Sequence, residues 1–304
     1  MNRRRFFIIL LSILGFIGIL MGMEVITDSS DSKVSGDGLS DKILDSEESS
    51  GSVESDVLEK EKDSLPRVEE KKEFIPRPSE EELVTGNIFL VFDDAGARIE
   101  QIDPFLNLDV PLTIAVLPHL SYSSEVATKV FENGHSVFLH QPMEPIGNQN
   151  PGEGAIYFGD PLESISQRIT YNLESVPHAI GVNNHMGSRV TADMTIMQRV
   201  LEEVQSRDLQ FLDSRTTDKS TVKTIADSLA FPVSSRDIFL DHHKSEEIMI
   251  ESFERGLDHA SLHGNVIMIG HVTNLLLADV LAKVIPKAQK AGFRFLPMAA
   301  YHKS

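Results

Sequence analysis

The chain has 304 residues, no cysteine and a formal net charge of −18. The acidic balance argues against nucleic acid as a partner, because phosphate binding needs a basic face. The lack of cysteine excludes disulfides, thiol nucleophiles, zinc fingers and cysteine-linked lipid.

Arg3, Arg4 and Arg5 precede an uncharged run from Phe6 to Met23. At about 1.5 Å per residue that run is long enough to cross a bilayer core, and no small-x-small cleavage site comes after it. Residues 1–23 are therefore read as an uncleaved membrane anchor, with the arginines holding the N-terminus in the cytoplasm. The rest of the chain is then expected outside the cytoplasm, periplasmic or extracellular, and secreted if the segment is cleaved. Residues 24–84 are rich in Ser, Asp, Glu and Lys and poor in clustered apolar residues. Such a stretch cannot bury enough surface to offset its ordering entropy, and it is read as a disordered acidic tether.

From residue 85 to 304 the pattern is that of one folded domain. Short apolar runs, "IFLVF", "LTIAVL", "SVFL", "AIGV", "LQFL", "DIFL", "VIMIG" and "FRFLP", alternate with amphipathic stretches such as 123–133, 193–207, 246–262 and 275–291. Strands alternating with helices imply βαβ units and a parallel sheet. Seven or eight strands in this length fit a closed or nearly closed barrel, with an open doubly wound sheet as the second choice. No GxGxxG comes after the first strand, and no GxSxG is present, which disfavours nucleotide binding and serine hydrolysis.

The polar residues directly after each run are more informative. Asp93 and Asp94 stand after the first, His140 after the third, and Asn183, Asn184 and His185 after the fourth. Asp213 and Arg215 stand after the fifth, Asp241 after the sixth, and His271 after the seventh. In a parallel barrel these positions converge on the C-terminal rim, where active sites of such barrels lie. Taken singly, paired acids are commonly solvated turn residues, and a lone histidine is commonly structural. Carboxylates and imidazoles together suit a divalent metal such as zinc. One Asp and two His with open water positions make a Lewis-acid hydrolase site. Two adjacent carboxylates can then divide the work: one binds the metal and the other takes a proton, while a histidine on the opposite rim donates one. Glu144 lies four residues after His140, but Pro142 removes any argument from helical spacing.

The motifs "IFLVFDDAG", "LTIAVLPH", "FLHQPMEP", "PGEGAI", "GVNNHMGSR", "QFLDSRTT", "DIFLDHH" and "MIGH", in this order, resemble the divergent polysaccharide deacetylase family. That family is remotely related to NodB-type chitooligosaccharide deacetylases. The resemblance implies an irregular seven-stranded parallel (β/α) barrel of the glycoside hydrolase/deacetylase type. It implies Asp93 as the catalytic base, Asp94 as a metal ligand, His140 as a metal ligand and His271 as the acid. Glu144 stands where the larger superfamily has a second histidine, so it is carried over as a metal ligand, with His185 supplying the missing imidazole. Asp213 falls near the motif that orients the base. Asn183, Asn184 and Arg215 are read as substrate-binding.

These features lead to the expectation of a zinc-dependent deacetylase acting on an acetylated envelope polysaccharide, with membrane attachment through the N-terminal segment. A non-catalytic glycan-binding or scaffold protein on a degenerate fold is the second reading, motivated by the altered second motif. A phosphoesterase or amidase is the third, lowered by few basic rim residues.

Overall fold

The computed structural model describes residues 84–303, all within the unit Glu73–Ser304. The anchor read over 1–23 and the tether read over 24–84, except Val84, lie outside the described residues. Among the described residues no helix is long and apolar enough to cross a membrane.

The strands are β1 (Gly86–Ala95), β2 (Thr113–Val116), β3 (Ser136–Met143), β4 (Ala179–Met186), β5 (Gln210–Asp213), β6 (Ser234–Ser235), β7 (Ile238–Phe239), β8 (Asn265–His271) and β9 (Phe293–Phe295). The helices are α1 (Asp103–Leu106), α2 (Ser123–Glu132), α3 (Leu162–Ser175), α4 (Met194–Ser206), α5 (Val222–Leu229), α6 (Glu246–His263) and α7 (Leu275–Lys290). All strand pairs are parallel, in the order β6-β5-β4-β3-β2-β1-β8-β7.

Nine strands occupy seven positions around the sheet, for two reasons. Ser234–Leu240 is one extended segment: its first half pairs with β5 and its second half with β8, joining the two ends of the sheet. β9 takes the stretch of β1 that β2 leaves open, pairing with Gly86–Ile88 while β2 pairs from Val91 onward. The expected parallel (β/α) barrel is therefore the observed fold, and the doubly wound alternative is not.

Side chains of a strand alternate between faces. Phe89, Val91, Phe138, Leu212, Ile267 and Ile269 form the barrel interior, with Met298 among them. Their neighbours Ile88, Leu90, Phe92, Val137, Leu139, Phe211, Val266 and Met268 face outward into the larger core beneath the helices. Gly181 lies on the interior side because a Cβ there would stand 2.4 Å from the Phe138 ring. Five interior rows, continued toward the C-terminal rim, end on polar groups. Val91 leads to Asp93, Phe138 to His140, Gly181 to Asn183 and His185, Leu212 to Ser214, and Ile269 to His271.

Helices α2, α4 and α7 bury apolar residues at helical spacing, such as Val126 and Val130, or Ile196, Val200 and Val204. Asp193 caps α4 by accepting from Ile196 N, and Ser245 caps α6 by accepting from Ile248 N. Helices α3 and α5 carry the remaining crossovers. At the other end of the barrel, Tyr301 packs edge-on to Phe89 with ring centroids 5.0 Å apart.

Helix α6 packs directly on the start of β1. A Cβ on Gly86 would lie 2.7 Å from the carbonyl oxygen of Ala260, a backbone atom that cannot swing aside. Gly86→Ala is expected to lower stability by about 1–3 kcal/mol. Urea unfolding should show a lower midpoint with an unchanged slope.

Candidate metal centre and active site

Two consecutive strand residues ordinarily point to opposite faces, yet Asp93 and Asp94 both serve the barrel mouth. The β1–β2 register shifts between Phe92 and Ala95, and Asp94 adopts a left-handed backbone, φ 66°. This bulge turns the second carboxylate back toward the site.

Asp94 Oδ1 lies 3.0 Å from His185 Nδ1 and 3.3 Å from His140 Nε2. The two imidazole nitrogens are 3.2 Å apart. The buried Oδ1 has no hydrogen-bond donor in proper geometry, although two ring nitrogens face it. Three ligand atoms thus form a nearly equilateral triangle. Tetrahedral zinc ligands at about 2.0–2.1 Å from the ion stand about 3.3–3.4 Å from one another. The donor set and its spacing fit a divalent metal with a position left for water or substrate.

The support behind this triangle is Asn183, which is completely buried. Its Oδ1 accepts from His140 Nδ1 at 2.9 Å, and its Nδ2 donates to Asp93 Oδ1 at 2.8 Å and to Ser214 Oγ at 3.3 Å. With the proton on Nδ1, the lone pair of His140 Nε2 faces Asp94. Asp93 is 3 % exposed, and its other oxygen sits 3.7 Å from His140 Nε2. Across the mouth, His271 Nδ1 lies 3.0 Å from Asp241 Oδ1, and Asp241 Oδ2 accepts from His271 N and Asn274 Nδ2. Asp241 therefore fixes the ring and leaves Nε2 as its other donor.

Burial pushes the Asp93 carboxyl above the ordinary carboxylate range, and Asp94 adds to the rise against the opposing effects of His140, His271 and Asn183. Burial acts the same way on Asp94, but His140 and His185 outweigh it and hold that carboxylate well below its usual range. Burial alone would lower His140, yet Asp93 and Asp94 keep its pKa raised. For His271, burial is again the largest effect and lowers the pKa, but the Asp241 contact and the charges of Asp93, Asp241 and Asp94 raise it to about 9. Asp93, His140, His185 and His271 line one cavity of about 480 Å³, within the range of ligand pockets.

The sequence profile of the family described as divergent polysaccharide deacetylase matches residues 90–301. The chain belongs to that family. It is similar to the uncharacterized protein YibQ of Escherichia coli (strain K12), 32% identical over 189 residues, which span 62% of this chain and 59% of that protein. It is also similar to an uncharacterized protein of Haemophilus influenzae, 30% identical over 212 residues, covering 70% of this chain and 72% of that one. Among solved structures it resembles an uncharacterized protein from Agrobacterium tumefaciens C58. That match has a TM-score of 0.68 and 21% identity, and covers 72% of this chain and 90% of the other. This last likeness is one of fold.

In this member of the family, Asp93, Asp94, His140, His185 and His271 come together at the mouth as the strand ends suggested. Four expectations need correction. Glu144 is not in the metal cluster: its carboxylate accepts from Phe158 N at 2.7 Å and Arg189 Nη1 at 3.1 Å, stapling the loops after β3 and β4. Asn183 faces Asp93 and His140 rather than a substrate. Asn184 lines the pocket, but its amide is already engaged by the backbone, donating to Met186 O and accepting from Ser214 N. Asp213 accepts from Arg215 N and Ser220 Oγ within its own loop, so it is Asn183 that holds Asp93. Arg215 does line the pocket, beside Arg236, Phe239 and Ser214, none of which the sequence singled out. Arg236 precedes an apolar run and so looks like the wrong end of a strand. It reaches the rim because it directly follows β6, with its N–H donating to Asp213 O.

Metal affinity tests this assignment. Asn183→Leu is expected to weaken zinc binding by about 10–100-fold, the usual cost of losing a ligand's supporting hydrogen bond. Glu144→Gln should leave the affinity unchanged in the same competition titration with a chromogenic chelator.

Proposed function

We propose that this protein is a zinc-dependent deacetylase of an acetylated envelope polysaccharide. Family membership supports a polysaccharide deacetylase-type activity, and the Asp94–His140–His185 triangle beside the buried Asp93 is the observation that carries the metal-dependent reading. Zinc bound there would supply Lewis-acid polarisation of the acetyl carbonyl and of the attacking water.

The chain's own residues divide the remaining work. Asp93, held through Oδ1 by Asn183, takes a proton from the attacking water on its other oxygen. Its raised pKa brings it nearer the working pH, where a general base is most effective. His271 keeps a proton near neutrality and passes it to the departing sugar nitrogen or oxygen as the bond to the acetyl carbon breaks. The products are acetate and a free amine or hydroxyl. Residues 1–23, read as an anchor, would hold the domain at the outer face of a membrane, where such a glycan lies. The non-catalytic reading rested on Glu144 replacing a histidine; His185 beside Asp94 and His140 supports the catalytic reading instead.

Acetate release from peptidoglycan and chitooligosaccharides by the zinc-loaded full chain is the direct test. Asp93→Asn should lower kcat by about 10²–10⁴-fold, while zinc still binds. A zinc-loaded protein that releases no acetate from any acetylated glycan would defeat the proposal.

The pH profile makes a second check. His271 is protonated below about 9, so activity should fall as pH rises through that value. Asp241→Asn removes a carboxylate that raises this pKa, so the alkaline limb should move to lower pH. An alkaline limb unmoved by that change would show that His271 is not the acid.

A further inference from the structure

One wall of the pocket carries two arginines that no carboxylate among the described residues pairs with. Arg236 Nε donates to Ser214 O at 2.8 Å and Nη2 donates to Arg215 O at 3.0 Å. Its guanidinium lies over the Phe239 ring, 5.0 Å from the centroid. These contacts fix the group in place, but carbonyls and a phenyl ring do not pair its charge. Arg215 lines the same cavity, and its own guanidinium makes no hydrogen bond or ion pair among the described residues. Neither arginine comes within 4.0 Å of a carboxylate oxygen among those residues. Asp213, beside them, is occupied with Arg215 N and Ser220 Oγ.

Arg215 is exposed, but Arg236 is partly buried, and a partly buried cation is normally paired, because burial costs solvation that an opposite charge restores. Here burial first, and then the like charge of Arg215, depress the affinity of the Arg236 guanidinium for its proton; Asp213, Asp93 and Asp237 act in the other direction. In a chain of net charge −18, two adjacent cations without a counter-ion among the described residues are unusual.

We propose that Arg215 and Arg236 form a subsite for an oxyanion carried by the glycan, a carboxylate or a phosphate on the acetylated sugar or its neighbour. The inference rests on the deacetylase reading and deepens it by naming the substrate as an anionic glycan. With Nε and one Nη2 proton engaged, Arg236 keeps Nη1 free, and the guanidinium fork suits a planar or tetrahedral oxyanion. Phe239 separates this wall from the reacting groups: its ring is also 5.4 Å from that of His271. The anion and the acetyl group can thus occupy opposite sides of one cavity.

The test compares two acetylated oligosaccharides differing only by a carboxylate in place of a hydroxymethyl. With the zinc-loaded full chain, kcat/KM should favour the carboxylate by about tenfold, as for one charge-assisted contact. R215Q and R236Q should bring that ratio toward one; R215Q removes a side chain with no internal partner and so leaves folding undisturbed. Calorimetric titration of the full chain with glucuronate and with inorganic phosphate reads the subsite without turnover, and both variants should weaken the anion that binds. Binding of glucuronate but not phosphate supports a carboxylate source, and the reverse supports a phosphorylated glycan. Weakened anion binding in the variants, with no acetate released from any substrate, upholds the subsite and removes the reaction. Absent anion binding, or binding equal in wild type and both variants, overturns the proposal.

Discussion

A carboxylate and an imidazole, Asp93 and His140, stand almost wholly buried at the barrel mouth, and the Asn183 amide contacts both at once. Burying such groups without partners would cost several kcal/mol each. An amide is suited to this place because one end accepts and the other donates. A carboxylate at position 183 would repel Asp93, and an aliphatic side chain would leave both neighbours unpaired. The choice of amide thereby sets two states together. His140 carries its proton on Nδ1, and Asp93 presents one free oxygen to the cavity. Ser214 extends the network into the loop after β5, so strands β1, β3, β4 and β5 meet at one side chain.

The pleat of the sheet supplies the positions that this network uses. Interior rows of Phe, Val, Ile and Leu fill the barrel, and the next interior position at the rim is polar in five strands. Packing below and chemistry above are therefore consequences of one alternation. Asp94 is the exception, since a regular strand would aim it at the helices. The bulge and its left-handed backbone cost local strain, and the gain is a carboxylate oxygen facing two imidazoles.

Closure of the sheet accounts for the opposite wall. Ser234–Leu240 leaves β5 and joins β8 within a few residues, so that Arg236 and Phe239 both reach the cavity from one short segment. Asp241 comes directly after it and holds His271. His271 and the basic wall consequently share a support that is separate from the Asp94–His140–His185 triangle on β1, β3 and β4. A site split in this way lets the two sides differ in charge, acidic at Asp93 and Asp94 and cationic at Arg215 and Arg236.

The sequence by itself determined the succession of strands and helices, because hydrophobic period and length are local properties. It also determined that Asp93, Asp94, His140, His185 and His271 would gather, because residues after parallel strands share one rim. Their partners were not legible. Glu144 is four residues from His140 along the chain, yet β3 remains extended through Met143 and carries Glu144 past the cluster to Arg189 and Phe158. Asn183 and Asn184 are identical in type and adjacent, but the pleat sends one inward to Asp93 and leaves the other to bind backbone. Arg236 lies before an apolar run, and only the pairing of β6 with β5 lifts it to the rim. Which residue supports, which binds and which stays unpaired depends on strand register, a bulge and a closing segment. Those are long-range hydrogen-bond choices, and only the tertiary structure makes them.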